Sequence, residues 1–309
     1  MKKLLTLVSS VLLCAAAGAF EPDGTYLFAR RDSCDLYLDF YAPAADSLAP
    51  PEAKATILFA FGGGFKDGKR DNRSYLPWFK ALTERGYAVA SIDYRLGLKD
   101  VTGAGVNAKF ISAMENAINI AVEDMFSATV WLVENAALLG IDPSKIVASG
   151  SSAGAITTLQ AEWEICNSRE LASVLPEGFN YAGVMSFSGA VFSRIGAVRF
   201  PVAPCPMLLL HGTADGIVPY KEMALLMMHF SGSDVIAKNL SKDSRGFSIL
   251  RFKDNGHEIA SSMMHNLDAE LLFLESNVVA GKGVWADALI SDPEIKVPSW
   301  GKSSYKSLY

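Results

Sequence analysis

Residues 145–154 read Lys145-Ile146-Val147-Ala148-Ser149-Gly150-Ser151-Ser152-Ala153-Gly154. The apolar run is a strand, a G-x-S-x-G turn follows it, and the Ala-rich sequence beyond is helical. Strand, sharp turn and helix in that order form a nucleophile elbow. The turn lifts one serine hydroxyl above the sheet edge, and glycines on either side let the backbone turn that tightly. Ser152 is the candidate nucleophile because glycine stands both two residues before and two after it, with Ser151 as the alternative. The pentapeptide alone is a weak signal in a chain with 25 glycines. The surrounding pattern decides its meaning.

Outward from the elbow, apolar strands alternate with helical sequence. Strand signals fall at 25–28 and 36–41, and a Pro- and Ala-rich turn region covers 42–55. The run 56–61 is continuous and apolar, as in a strand buried on both faces of a parallel sheet, and further strands are expected at 87–92, 182–187, 207–210 and 248–252. Helices are expected at 75–85, 108–139 and 259–279. In the second, Ile111, Met114, Ile118, Val122, Met125 and Trp131 recur at three- and four-residue steps, giving one apolar stripe. Gly140-Ile141-Asp142-Pro143 stops it. In the third, Leu267, Leu271, Leu272 and Leu274 are expected to point inward. The fold class is therefore α/β, a mostly parallel sheet of about eight strands with helices on both faces. One domain is expected over 20–280, with 281–309 packed on it as an irregular tail.

The 309 residues are half apolar and carry a net charge of −5. That supports one large core and argues against a nucleic-acid partner, since no basic stripe is present. Met1-Lys2-Lys3, the apolar stretch 4–17 and Ala17-Gly18-Ala19 have the form of a secretory leader, with cleavage expected after Ala19. The expected location is thus periplasmic or extracellular. Cys14 permits a rival reading as a lipid attachment site, although Leu13 stands where a small residue is usual. No other segment has the length and apolarity of a membrane span. Cys34, Cys166 and Cys205 remain after the leader, without metal-ligand spacing, and all three are expected to be small buried residues.

Acyl transfer needs a nucleophile, a base, a group that orients the base, and donors for the oxyanion. His211-Gly212-Thr213-Ala214-Asp215 ends a buried strand and would bring Asp215 to the rim, as the orienting acid or as a cap for a helix starting near Pro219. The chain has four histidines. His229 and His265 lie in sequence that reads as helical, and His211 more naturally braces the acid loop. His257 alone follows a strand in a Gly-containing loop, which makes it the candidate base. Ser152, Asp215 and His257 then occur in the chain order that this arrangement of strands imposes. Gly62-Gly63-Gly64 ends the strand 56–61, and the N–H groups of Gly63, Gly64 and Ala153 are the candidate oxyanion donors. No metal or organic cofactor is called for.

These motifs, with Asp93-Tyr94-Arg95-Leu96 and Gly256-His257-Glu258, resemble those of the bacterial carboxylesterases related to hormone-sensitive lipase and to the acetyl and feruloyl esterases that trim plant polysaccharides. The resemblance covers about residues 35–275 and implies an α/β-hydrolase fold with a serine esterase activity. It also implies that Asp93-Tyr94-Arg95 is structural, the arginine pairing with nearby carboxylates. Two departures stand out. Phe61 occupies the place of the histidine that usually precedes the glycines, which should alter loop packing but not the chemistry. The acid loop is closer to that of prolyl-peptidase-like and feruloyl-esterase-like hydrolases. The expected substrate is a short-chain acyl ester on a small molecule or a glycan. A serine peptidase of the same fold, and a non-catalytic binding module that kept it, are the alternatives. The sequence leaves the oligomeric state open.

Overall fold

The computed structural model describes residues 20–44, 53–101, 107–225, 228–242 and 246–304. The expected leader and Cys14 lie outside the described residues. In chain order the elements are β1 (Gly24–Arg30), β2 (Asp35–Tyr41), β3 (Thr56–Ala60), α1 (Leu76–Thr83), β4 (Ala88–Ile92), α2 (Ala108–Glu134) and α3 (Ala136–Leu139). Then come β5 (Ile146–Ser151), α4 (Ala153–Cys166), β6 (Gly183–Phe187), β7 (Ala190–Ser193), β8 (Met207–Gly212), β9 (Glu222–Leu225) and β10 (Met228–Gly232). The last are α5 (Ser233–Lys242), β11 (Phe247–Phe252), α6 (Leu267–Phe273) and β12 (Ala286–Ile290).

The main sheet runs β1-β2-β4-β3-β5-β6-β8-β11-β12. Only β1 and β2 pair antiparallel with their neighbours; from β4 onward every pair is parallel. Each residue of β3, β4, β5, β6 and β8 is buried, so these strands carry no polar-out alternation and read as solid apolar runs. The ninth strand comes from the expected irregular tail. Residues Ala286–Ile290 extend the sheet beside β11, with only Ala288 and Ile290 half-buried. A strand this open leaves too little alternation to be seen in sequence.

Other expectations need correction. The helix expected over 108–139 breaks at Asn135, and α3 stops at Gly140, whose φ of 65° is the left-handed cap glycine supports. The region 259–279 is no single helix. It holds 3-10 turns at His257–Ser261 and Met264–Asn266, then α6, then a π turn at Leu274–Val279. Leu267 and Leu274 are buried but Leu272 is 67% exposed. It lies five residues past Leu267, about 140° round a helix and so off the inner face. His229 sits on a strand, β10, which pairs antiparallel with β7 and β9, and it is the only half-exposed residue of that strand. Strands β7, β10 and β9 form a separate antiparallel sheet. Cys166 and Cys205 are buried, but Cys34 is exposed, and none of the three is in a disulfide.

The segment expected to be structural is so. Arg95 places Nε 2.8 Å from Oδ2 of Asp124 and Nη2 2.7 Å from Oε2 of Glu123, tying the end of β4 to α2. Asp124 has no exposed side chain and also accepts from Arg31 Nε at 2.9 Å, so two guanidinium groups balance it. Asp93 accepts from Arg70 Nη1 at 2.6 Å. Aromatic rings fill the space between β3 and α1, where Phe59 meets Tyr75, Trp78 and Phe79 edge-on at 4.8, 5.3 and 5.4 Å.

Candidate active site

Four strand ends converge on one place. At the end of β5, Ser152 has φ 51° and ψ −113° between the strand and α4. The flanking glycines are sterically required: a Cβ on Gly150 would lie 2.3 Å from the Gly154 carbonyl carbon, and one on Gly154 would lie 2.0 Å from the Ala60 carbonyl oxygen. The Ser152 N–H donates to the Phe187 carbonyl at 2.9 Å, fixing the turn to β6. Ser151, the alternative nucleophile, points elsewhere. Its hydroxyl is buried and donates to the Ala260 carbonyl at 2.7 Å.

The Ser152 hydroxyl stands 2.7 Å from Nε2 of His257, and Nδ1 of His257 stands 2.8 Å from Oδ2 of Asp215. His257 follows β11 and Asp215 follows β8, and these parallel neighbours deliver both loops to the same sheet edge. The loops are also bonded to each other, Ala214 N–H to the Asn255 carbonyl at 2.9 Å and Asp254 N–H to the Thr213 hydroxyl at 2.9 Å. Asp215 serves two purposes at once. Oδ1 accepts from the N–H groups of Ile217 and Val218 at 2.9 and 3.0 Å, while Oδ2 faces the imidazole. The carboxylate caps a turn; no helix starts near Pro219.

His211 braces this loop from beneath. Its Nδ1 is 2.8 Å from the Ser233 hydroxyl, and its Nε2 is 3.2 Å from the Val218 carbonyl and 3.3 Å from Oδ2 of Asp215. With a proton on Nε2 the ring donates toward both of these oxygens, and Nδ1 meets the Ser233 hydroxyl. Burial alone would raise the Asp215 carboxyl pKa. Hydrogen bonds from His211 and His257 and their charge outweigh burial and hold it well below the usual carboxylate range.

The glycine run sits against the elbow, with the Cβ position of Gly62 only 3.4 Å from Cβ of Ser152. Gly63 (φ 141°) and Gly64 (φ 63°) both take left-handed conformations, and a Cβ on Gly63 would lie 1.8 Å from the Asp67 carbonyl oxygen. The loop is closed by Lys66 and Asp67 N–H donating to the Gly63 carbonyl at 3.0 and 3.1 Å. Ala153 is the first residue of α4, so its N–H is among those a helix leaves without an internal acceptor. Phe61 stacks on Tyr94 at 4.4 Å, and the Tyr94 hydroxyl donates to the Phe61 carbonyl at 2.8 Å.

Gly64 and Ala153 open onto a cavity of about 60 Å³. Its wall is apolar: Phe110 and Met114 from α2, Ile156 from α4, Val218 from the acid loop, and Met223, Met228 and Phe230 from the second sheet. These last three were not found from sequence. The strands that carry them are too short for a sequence pattern to separate strand from helix. Among the described residues no group of three or more His, Cys, Asp or Glu could hold a metal ion, and no helix is long and apolar enough to cross a membrane.

Residues 109–272 match the phospholipase/carboxylesterase family, and residues 38–164 match the BD-FAE family. Ethyl acetate hydrolase of Pseudomonas putida is 32% identical over 168 residues, which are 53% of this chain and 46% of that protein. Lipase 2 of Moraxella sp. is 35% identical over 127 residues, 41% of this chain and 25% of that one. The chain thus spans less than half the length of these relatives. Esterase 2 of Thermogutta terrifontis in its butyrate-bound form superimposes with a TM-score of 0.59 at 23% identity, covering 84% of this chain and 96% of that one. That likeness concerns the fold. The family match takes in more than half of the chain, from α2 through the elbow to α6, and the protein belongs to the phospholipase/carboxylesterase family of α/β-hydrolases.

Proposed function

We propose that this protein is an exported serine esterase acting on short-chain acyl esters. One observation carries the reading: Ser152, His257 and Asp215 are linked at 2.7 and 2.8 Å beside a small apolar cavity. Ser152 Oγ attacks the ester carbonyl carbon while His257 Nε2 takes its proton, and Asp215 holds the imidazole by Nδ1 and stabilises the imidazolium. The N–H groups of Gly63, Gly64 and Ala153 receive the oxyanion. His257 returns the proton to the departing alkoxide, leaving an acyl-Ser152. Water, deprotonated by the same imidazole, then releases the carboxylic acid.

The cavity argues for the acyl length. A space of about 60 Å³ holds on the order of a few waters, or an acyl chain of a few carbons. Relatives support this: one curated protein is named for ethyl acetate hydrolysis, and one solved structure holds butyrate. Acetyl groups on glycans fit the same reading, and feruloyl esters are to be tested beside them. Export rests on the leader-like residues 1–19.

The deciding experiment is hydrolysis of p-nitrophenyl esters from acetate to decanoate by the purified chain and by Ser152→Ala. Activity highest on the short esters and reduced at least about 10⁴-fold in the variant is the expected outcome. Phe230→Ala should move the optimum toward longer chains. Peptide hydrolysis outrunning ester hydrolysis would select the peptidase alternative. Silence toward both esters and a fluorophosphonate would select the binding module.

A further inference from the structure

The end of the chain lies across the two loops that carry Asp215 and His257. Ser304 forms a parallel bridge with Gly216, and the place a Cβ would take on Gly216 is 2.8 Å from the Ser303 carbonyl oxygen. On the other loop, the Cβ position of Gly256 falls 2.0 Å from the Gly301 carbonyl oxygen. That of Gly301 falls 2.4 Å from Oε2 of Glu258. Residues 299–302 form a 3-10 turn, closed by Gly301 N–H on the Pro298 carbonyl at 3.0 Å. The tail thus touches the residue after Asp215 and both neighbours of His257, at distances that admit no side chain.

Glu258 completes the contact. It is 7% exposed, and its Oε1 accepts from Asn255 Nδ2 and from the Gly256 N–H, both at 2.9 Å, stapling the base loop from within. Its Oε2 is buried without a hydrogen-bond partner and lies against Gly301. This oxygen is shielded from solvent where it packs against the tail.

We propose that residues 299–304 are a clasp that fixes the distance between Asp215 and His257, with Gly301 and Glu258 as positioning residues. The proposal rests on the reading of Ser152, His257 and Asp215 as a catalytic chain. A displacement of about 1 Å between the loops turns a 2.8 Å contact into no hydrogen bond, and such errors cost up to about 10²-fold in turnover. Gly301 does not occupy the left-handed region, so replacing it acts through contact alone.

The test uses the full chain, Gly301→Ala, Gly301→Val and a chain ending at residue 298. Kinetics are read on p-nitrophenyl butyrate, together with the low-field proton resonance of the hydrogen-bonded His257 imidazole and the melting temperature. Turnover should fall from wild type through Ala to Val, by about 10- to 100-fold in the last, with KM within about twofold. The low-field resonance should weaken in the same order. The truncated chain should behave like Gly301→Val, and if it does not fold the Gly301 variants decide. Gly301→Val with wild-type turnover and an unchanged resonance would overturn the clasp, whatever its melting temperature. If the wild-type chain hydrolyses no ester, the resonance alone decides the clasp, and the esterase reading is what fails.

Discussion

Asp215 and Glu270 are both carboxyl side chains cut off from water, and the protein treats them oppositely. Asp215, between β8 and the second sheet, receives two backbone N–H groups and faces two imidazoles, and its carboxyl is held well below the usual range. Glu270, on α6, is met by a single donor, the Trp78 indole N–H at 2.6 Å, and its other oxygen has no partner. Burial pushes the Glu270 carboxyl well above its ordinary value, and one hydrogen bond does not reverse that. Burial alone does not set the charge of an acid; the number of donors aimed at it does. A charged acid belongs beside the histidine that must be held, a neutral one inside packing that only needs filling.

Asp215→Asn should break the first half of this contrast most severely. The amide keeps the shape but not the charge, and kcat on p-nitrophenyl butyrate should fall about 10⁴-fold. The stability that Asp215 contributes follows the sign of its shift. A depressed carboxyl stabilises fully above pH 3.8 and loses this as pH falls toward its value in the fold. Urea unfolding of wild type and Asp215→Asn should therefore diverge above pH 3.8 and converge in stronger acid. Trp78→Phe tests the other half. It strips Glu270 of its only hydrogen bond and should cost about 1–3 kcal/mol in denaturant unfolding. Glu270→Gln should have the smallest effect. Because its folded value is raised, the carboxyl stabilises below about pH 4.5 and loses this as pH rises. The glutamine variant should melt near wild type at pH 4 and above it at pH 9.

Much of the site was legible because its chemistry is local. Gly150, Ser152 and Gly154 announce a turn that few other residues could make, and the loops bearing Asp215 and His257 each follow a largely buried strand. The contacts between them follow from parallel neighbours ending at one edge. What escaped depends on partners distant in sequence. Strands β7, β9 and β10 are short, and Met227-Met228-His229-Phe230 is equally good as a helix turn until β7 lies beside it. Strand β12 presents Asp287 and Leu289 outward and gains its place only from β11. The 3-10 turn at 299–302 has no apolar period at all. It and the residues just after it are placed by three glycine contacts, all with the loops that carry Asp215 and His257. Cys34 lies exposed just before β2, where no periodicity assigns a side.

The backbone of Ser152, with φ 51° and ψ −113°, bears on the stability of this corner. A residue with a Cβ held at that angle costs on the order of 1–2 kcal/mol that a glycine would not. The chain nevertheless has a serine at this corner, with glycines two positions away on either side. Ser152→Gly should consequently yield an inert protein that melts at a higher temperature than its parent. Under the proposed function, strain at this corner is the cost of a reactive serine, and a search for tougher variants judged on folding alone would discard Ser152 early.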